Sequence, residues 1–80
     1  MQDMSFDELV AALRQIDSLR DVGKRHPNFH YKSRPFLHFH AGPNGACADV
    51  KFADEWERIP TTTGRERGAL LARVRAHLGY

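Results

Sequence analysis

The chain has 80 residues, of which 41% are hydrophobic and 28% are charged, with a formal net charge of +2 and one cysteine. This size predicts a single domain over residues 1–80, and the balance of charged and hydrophobic residues excludes global disorder. One cysteine excludes a disulfide framework, and so small a net charge does not indicate nucleic acid by itself. With no signal-peptide pattern and no long apolar run, a cytoplasmic protein is expected.

The first predicted element is a helix over residues 5–20. Ser5 and Glu8 have the spacing of a capping box, in which each side chain accepts a hydrogen bond from the other residue's backbone amide. Apolar residues then recur at three- and four-residue steps, which predicts one buried stripe. The stripe contains Phe6, Leu9, Val10, Leu13, Ile16 and Leu19. Gly23 follows as the predicted end cap.

Strict alternation replaces helical periodicity over residues 29–40 and predicts a β-hairpin. A three-residue loop at residues 32–34 would pair Phe29 with Leu37 and set Phe36 on the opposite face. A two-residue loop would scatter the apolar side chains over both faces, so the longer loop is preferred. One face would then carry Phe29, Tyr31, Leu37 and Phe39, and the other His30, Phe36, His38 and His40.

A turn rich in glycine at residues 41–45 separates the hairpin from a third strand over residues 46–52. The third strand alternates again, with Ala46, Ala48, Val50 and Phe52 on the apolar face and Cys47, Asp49 and Lys51 on the other. Residues 56–59 are predicted as a short fourth strand at the sheet edge, ended by Pro60.

The last predicted element is a second helix, which begins at another capping box formed by Thr63 and Glu66. Its apolar stripe consists of Leu70, Leu71, Val74 and Leu78, and Gly79 is the predicted stop. Each helix and the sheet have one apolar face. The predicted fold is therefore α+β, in the order α-β-β-β-(β)-α, with both helices on one face of a three- to four-stranded antiparallel sheet.

Packing both helices on one side leaves the other sheet face open, and this open face is the predicted binding site. Its predicted binding residues are Lys32, Arg34, Phe36, His38, Lys51, Trp56 and Arg58. Cations that contact phosphates and rings that stack on bases are what nucleic-acid binding requires. The face therefore predicts a non-enzymatic module for nucleic acid or another anionic partner. The alternatives are a homodimer or protein partner that covers these rings, and a Trp56 turned into the core.

A metal site is the alternative function. His38 and His40 are two residues apart on one strand, so their side chains point to the same side about 6.5 to 7 Å apart. Imidazole pairs of this kind bind zinc or another transition metal. Cys47 and Asp49 on the neighbouring strand could add a third ligand. No Cys-x-x-Cys or His-Glu-x-x-His pattern is present, and histidines that are exposed or hydrogen-bonded are the simpler interpretation.

Thiol chemistry is a further alternative, with Cys47 as nucleophile, His38 as its base and Asp49 orienting the imidazole. An isolated cysteine in a strand is more often a packing residue, and a domain this small has little room for a deep pocket. An enzyme is therefore the less favoured interpretation, and no catalytic residue is predicted.

One family resemblance follows from the order of short motifs along the chain. A first helix, the segments His26-Pro27-Asn28-Phe29 and Phe36-Leu37-His38-Phe39, a glycine-containing turn and Asp49-Val50-Lys51 resemble the MmcQ/YjbR-like bacterial proteins over roughly residues 6–52. The resemblance implies an α+β sheet fold and a suspected DNA-binding role, without catalytic residues. The chain departs from that family after Phe52, where it lacks the longer helical half. Its excess of arginine over lysine also looks like that of small proteins of high-GC bacteria.

Overall fold

A computed structural model describes residues 3–42 and 45–80, and these residues form two helices and a five-stranded antiparallel sheet. The elements in chain order are α1 (Phe6–Arg14), β1 (Leu19–Asp21), β2 (Asn28–Tyr31), β3 (Arg34–Gly42), β4 (Gly45–Val50), β5 (Glu57–Pro60) and α2 (Gly64–His77). Neighbouring strands pair in sequence order, so the sheet is a meander. The predicted α+β fold is confirmed, with one strand more than expected. The turn predicted at residues 41–45 lies partly outside the described residues.

Helix α1 begins as predicted but ends at Arg14 rather than at residue 20. Ser5 accepts a hydrogen bond from the backbone amide of Glu8 at 3.1 Å, and Glu8 accepts one from the amide of Ser5 at 2.9 Å. Ile16 and Leu19 are buried, as the apolar stripe requires, but they lie in the following turn and in β1. The stripe therefore reports burial correctly and the length of the helix incorrectly.

The segment that connects β1 to β2 is organised by Asp21, not by a glycine cap. The Asp21 carboxylate accepts hydrogen bonds from the backbone amides of Gly23 and Asn28, at 3.0 and 3.2 Å. The same carboxylate forms an ion pair with Arg14 at 3.0 Å. The predicted role of Gly23 as the helix end cap is wrong, because α1 ends at Arg14 and Gln15 is its C-cap.

The β2–β3 hairpin has a two-residue loop, so the predicted three-residue loop is wrong. Tyr31 pairs with Arg34, and Lys32 and Ser33 connect them with φ angles of 53° and 65°. Two-residue hairpin loops favour these left-handed conformations because their twist matches that of the flanking strands.

A β-bulge next to this loop restores the predicted apolar pairing. His30 pairs with Pro35, whereas Phe29 pairs with Leu37, so Phe36 is one extra residue in β3. A bulge of this kind shifts the alternation of side chains by one position. Phe29 and Leu37 consequently face the helices, as predicted, although the loop is shorter.

The bulge also places Phe36 in the core, where its side chain is 3% exposed. The prediction that Phe36 lies on the open sheet face is therefore wrong. Its ring stacks on His77 of α2 with the centroids 5.8 Å apart, and it contacts Phe52 edge-on at 6.1 Å. Phe36 and Leu37 are consecutive residues, yet both pack toward the helices.

The core lies between the two helices and one face of the sheet, as predicted. It is formed by Leu9, Val10, Leu13, Ile16, Leu19, Phe29, Phe36, Leu37, Ala48, Val50, Leu70, Leu71 and Val74. Burying each of the larger side chains contributes about 1.5 to 3 kcal/mol relative to leaving it in water. Because both helices cover the same face, the opposite face of the sheet has no helix packed on it.

Helix α2 begins and ends as predicted. Thr63 accepts a hydrogen bond from the amide of Glu66 at 3.1 Å, and Glu66 accepts one from the amide of Thr63 at 2.9 Å. Gly79 follows the helix with φ of 85°, a left-handed conformation that glycine adopts without strain. Neither described helix has the length and apolar character needed to cross a bilayer.

Arg67 of α2 holds two other segments of the chain against the helix. Its Nε donates a hydrogen bond to the carbonyl oxygen of Met4 at 2.7 Å. One terminal nitrogen of the same guanidinium donates to the carbonyl oxygens of Thr61 and Thr62, at 2.8 and 3.0 Å. This single side chain therefore joins the residues before α1 to the residues before α2.

Candidate functional site

Four strands contribute one row of polar side chains to the open sheet face. Asn28 of β2 pairs with His38 of β3, His38 pairs with Asp49 of β4, and Asp49 pairs with Arg58 of β5. Because paired residues point to the same face, these side chains meet in the middle of the sheet. The prediction that His38, Asp49 and Arg58 share the open face agrees with this register.

Three side chains of this face converge on one point, and we call them the His–Asp cluster: His38, His40 and Asp49. One carboxylate oxygen, Oδ2 of Asp49, lies 3.3 Å from Nε2 of His38 and 3.0 Å from Nε2 of His40. The side chains are 39%, 31% and 16% exposed in that order, so the cluster is half-buried and reachable from solvent. Arg58 Nε donates to the other oxygen, Oδ1, at 3.1 Å.

The carboxylate of Asp49 is held in its charged form by its neighbours. Partial burial would raise the pKa of Asp49, but the hydrogen bond and charge of Arg58 outweigh it, with smaller contributions from His40 and His38. The net result is a pKa below the ordinary value of 3.8. Asp49 is therefore negatively charged at neutral pH, beside His38, His40 and Arg58.

We expect Asp49→Asn to destabilise the protein at neutral pH and to do so progressively less below about pH 4. A carboxyl whose pKa is lower in the folded state stabilises the fold above its unfolded pKa, and this contribution disappears as the pH falls through the folded pKa. Urea denaturation of both proteins at pH 7, 4 and 2.5 measures the difference. Arg58→Gln removes the main cause of the low pKa and should weaken this pH dependence. A difference between wild type and Asp49→Asn that is constant over this range would contradict the assignment.

Cys47 lies beside His40 and not, as the thiol interpretation required, beside His38. Its Sγ is 3.5 Å from Nε2 and 3.7 Å from Nδ1 of the His40 ring. The thiol also donates to the carbonyl oxygen of His40 at 3.5 Å and is 8% exposed. These contacts are those of a packed cysteine at the border of the cluster.

Trp56 lies outside the core, with 43% of its surface exposed, so the alternative in which it turns inward is wrong. The edge of its ring meets His38, with centroids 5.0 Å apart and planes at 64°. Lys51 Nζ lies 5.8 Å from the centroid of the same ring. Trp56 thus stands between the His–Asp cluster and the end of the sheet.

An open groove of about 630 Å³ lies at that end, where the β2–β3 turn approaches the segment after β4. We call it the basic groove, and the polar and exposed aromatic part of its lining includes Tyr31, Lys32, Arg34, Lys51, Asp54 and Trp56. Three of these side chains are cations and one is a carboxylate. Lys32 Nζ lies 5.3 Å from the centroid of the Tyr31 ring, an arrangement like that of Lys51 over Trp56 at 5.8 Å.

The structure therefore divides the predicted binding residues into two groups. Lys32, Arg34, Lys51 and Trp56 line the basic groove, and the buried Phe36 also borders it, while His38 and Arg58 belong with the His–Asp cluster. Sequence reasoning did not include Tyr31 and Asp54 in the site. The alternation assigned Tyr31 to the apolar face, and Asp54 lies in a predicted turn. Asp54 comes close to Lys32 and Arg34 only in the folded protein, so no sequence pattern could have placed it there.

The chain matches no protein-family model, no curated protein and no solved structure in the comparisons made. The interpretation of both surfaces therefore depends on their own geometry and chemistry.

Proposed function

We propose that the protein is a small, non-enzymatic binding module that holds single-stranded nucleic acid in the basic groove. The observation that carries the proposal is the position of Lys32, Arg34 and Lys51 around the exposed ring of Trp56. Cations that follow the backbone and a flat ring that receives a base are the two features such binding needs.

Three cations available to a ligand, Lys32, Arg34 and Lys51, lie together in the groove. On the open face, Arg58 is paired with Asp49 through a hydrogen bond of 3.1 Å. Lys32, Arg34 and Lys51 are exposed, and the two lysines lie over aromatic rings. Among the described residues, neither lysine forms an ion pair with a carboxylate. A phosphate can therefore contact Lys32 or Lys51 without displacing one.

Trp56 favours a single strand over a duplex. Its ring is 43% exposed, and His38 contacts it edge-on, so part of its surface remains open to a ligand. A base stacks on such a ring only when it has left its own stack, as bases in single strands do readily. Because Phe36 is in the core, one exposed tryptophan supports stacking where the sequence predicted two rings.

Fluorescence anisotropy with a short labelled single-stranded DNA tests the proposal. If Lys32, Arg34 and Lys51 each neutralise one phosphate, the affinity should fall by about 20-fold between 50 and 200 mM salt. Lys32→Gln and Lys51→Gln should each weaken binding and flatten this salt dependence. Lys24→Gln, which changes an exposed lysine outside the groove, is the matched control and should leave the affinity unchanged.

Four results would count against the proposal. Absence of binding at 50 mM salt would reject nucleic acid as the ligand. Tighter binding of an equally long duplex would reject the role of Trp56 in stacking, as would an unchanged affinity of Trp56→Ala. Sedimentation that depends on protein concentration, and that Trp56→Arg makes monomeric, would instead assign this surface to a homodimer.

A further inference from the structure

We propose that the His–Asp cluster is a binding site for a divalent transition-metal ion, with zinc as the best fit. This inference is independent of the nucleic-acid proposal, because the cluster lies beside the basic groove and uses other side chains. Among the described residues, His38, His40 and Asp49 form a group whose potential ligand atoms all lie within 4.8 Å of one another. Two imidazoles and a carboxylate form a donor set that suits zinc.

The distances within the cluster fit a tetrahedral ion. Zinc binds histidine nitrogen and carboxylate oxygen at about 2.0 to 2.2 Å, which separates neighbouring ligand atoms by about 3.3 to 3.6 Å in a tetrahedron. The two distances from Oδ2 of Asp49 to the histidine nitrogens are 3.3 and 3.0 Å. An ion at this point can therefore replace the hydrogen bonds between the two imidazoles and the Asp49 carboxylate, with small side-chain movements and no change in the strands.

The backbone holds the three ligands in register. His38 and Asp49 are directly paired across β3 and β4, and His40 is the next residue of β3 on the same face. All three therefore stand on adjacent strands in the middle of the sheet, where the geometry of ligands is better defined than on loops. The half-buried position leaves the remaining coordination positions open to solvent.

Two neighbouring side chains, Arg58 and Cys47, contact the proposed ligands. In metal sites, such contacts hold the ligands in the orientation that the ion requires. Arg58 donates to Oδ1 of Asp49 and leaves Oδ2 for the ion, an arrangement that orients a carboxylate ligand. The positive charge of Arg58 opposes the ion and limits its affinity. Cys47 Sγ lies 3.5 Å from Nε2 of His40, so rotation of its side chain can bring a fourth ligand to the ion.

A metal-free role explains the same contacts as two imidazoles that donate to one carboxylate oxygen. The two roles differ in a measurable way, because only a metal site gains stability from added zinc. Coordination also requires neutral imidazoles, so zinc binding should weaken as the pH is lowered.

Isothermal titration of zinc into the full untagged chain, with thermal unfolding in parallel, tests the site. We expect one zinc per chain and a rise in Tm, both lost in the His38→Ala, His40→Ala double variant. His77→Gln is the matched control, because His77 lies on α2 across the sheet and its variant should keep the bound zinc. Unfolding curves without zinc establish that each variant is folded.

Cobalt identifies the fourth ligand and separates this proposal from the first. A tetrahedral cobalt spectrum that keeps its intensity in Cys47→Ala means a solvent ligand, whereas loss of a thiolate-to-cobalt band means that Cys47 binds. Cobalt should also quench the fluorescence of Trp56, the single tryptophan of the chain, which contacts His38. Absence of a zinc titration signal, or equal zinc binding by the double variant, would overturn the metal site and leave DNA binding untouched.

Discussion

Replacing Phe36 with alanine should lower the free energy of unfolding by about 3 to 5 kcal/mol. The ring is 3% exposed and contacts three other rings, those of Tyr31 at 5.8 Å, Phe52 at 6.1 Å and His77 at 5.8 Å. Truncation removes the burial of the ring and leaves a cavity between the sheet and the end of α2. Because domains of this kind are stable by about 5 to 15 kcal/mol, the variant should lose a large part of its stability.

Urea denaturation followed by circular dichroism measures this loss. Leu37→Ala, which truncates the neighbouring core residue, should cost about 2 to 5 kcal/mol. Trp56→Ala is the control for an exposed ring and should cost clearly less than Phe36→Ala, because 43% of Trp56 is already in contact with water. A small cost for Phe36→Ala, comparable to that of Trp56→Ala, would mean that the bulge is misplaced and that Phe36 faces solvent.

Arg67→Ala should be the most destabilising change of an arginine in the chain, at about 2 to 4 kcal/mol. Its guanidinium donates three hydrogen bonds to backbone carbonyls, those of Met4, Thr61 and Thr62. Hydrogen bonds from charged groups contribute about 1.5 to 3 kcal/mol each, and partial exposure of this group reduces the total. Without Arg67, the residues before α1 lose the hydrogen bond that joins Met4 to α2.

Two companion variants separate geometry from charge. Arg67→Lys keeps the charge but cannot form the forked contacts, so it should recover only part of the lost stability. Arg75→Ala removes an exposed arginine from the same helix and should change the stability by less than about 0.5 kcal/mol. Hydrogen exchange should also become faster in the first turn of α1 in Arg67→Ala. Equal stability of Arg67→Ala and Arg75→Ala would contradict the role assigned to these contacts.

Features that depend on neighbours in the sequence were predictable from the chain itself. Both capping boxes, Ser5 with Glu8 and Thr63 with Glu66, are present because each involves residues three apart. The alternation of apolar residues correctly predicted which sheet face meets the helices, since side chains of a strand point to its two faces in turn. The pairing of Phe29 with Leu37 follows from the same pattern.

The end of α1 was not predictable from the apolar stripe, because burial and helical geometry are separate properties. Ile16 and Leu19 are buried at helical spacing while they lie in a turn and a strand. The Asp21 carboxylate after this segment accepts hydrogen bonds from the backbone amides of Gly23 and Asn28, and these contacts form only once the chain has folded back.

The His–Asp cluster depends partly on local spacing and partly on how the strands pair. The spacing of His38 and His40 alone predicted that they share one side of a strand, because that property is local. Both histidines contact one oxygen of Asp49 only because of the β3–β4 register. The same register pairs Cys47 with His40 instead of His38.

The fold class and the apolar face of each element could be predicted from the chain, since these follow from periods of two and of three to four residues. The core position of Phe36 depends on the folded sheet, because a short loop and a bulge compensate each other in the alternation. The tertiary structure also decided that Lys32 and Lys51 share one groove, since residues so far apart meet only when the sheet and its turns have formed.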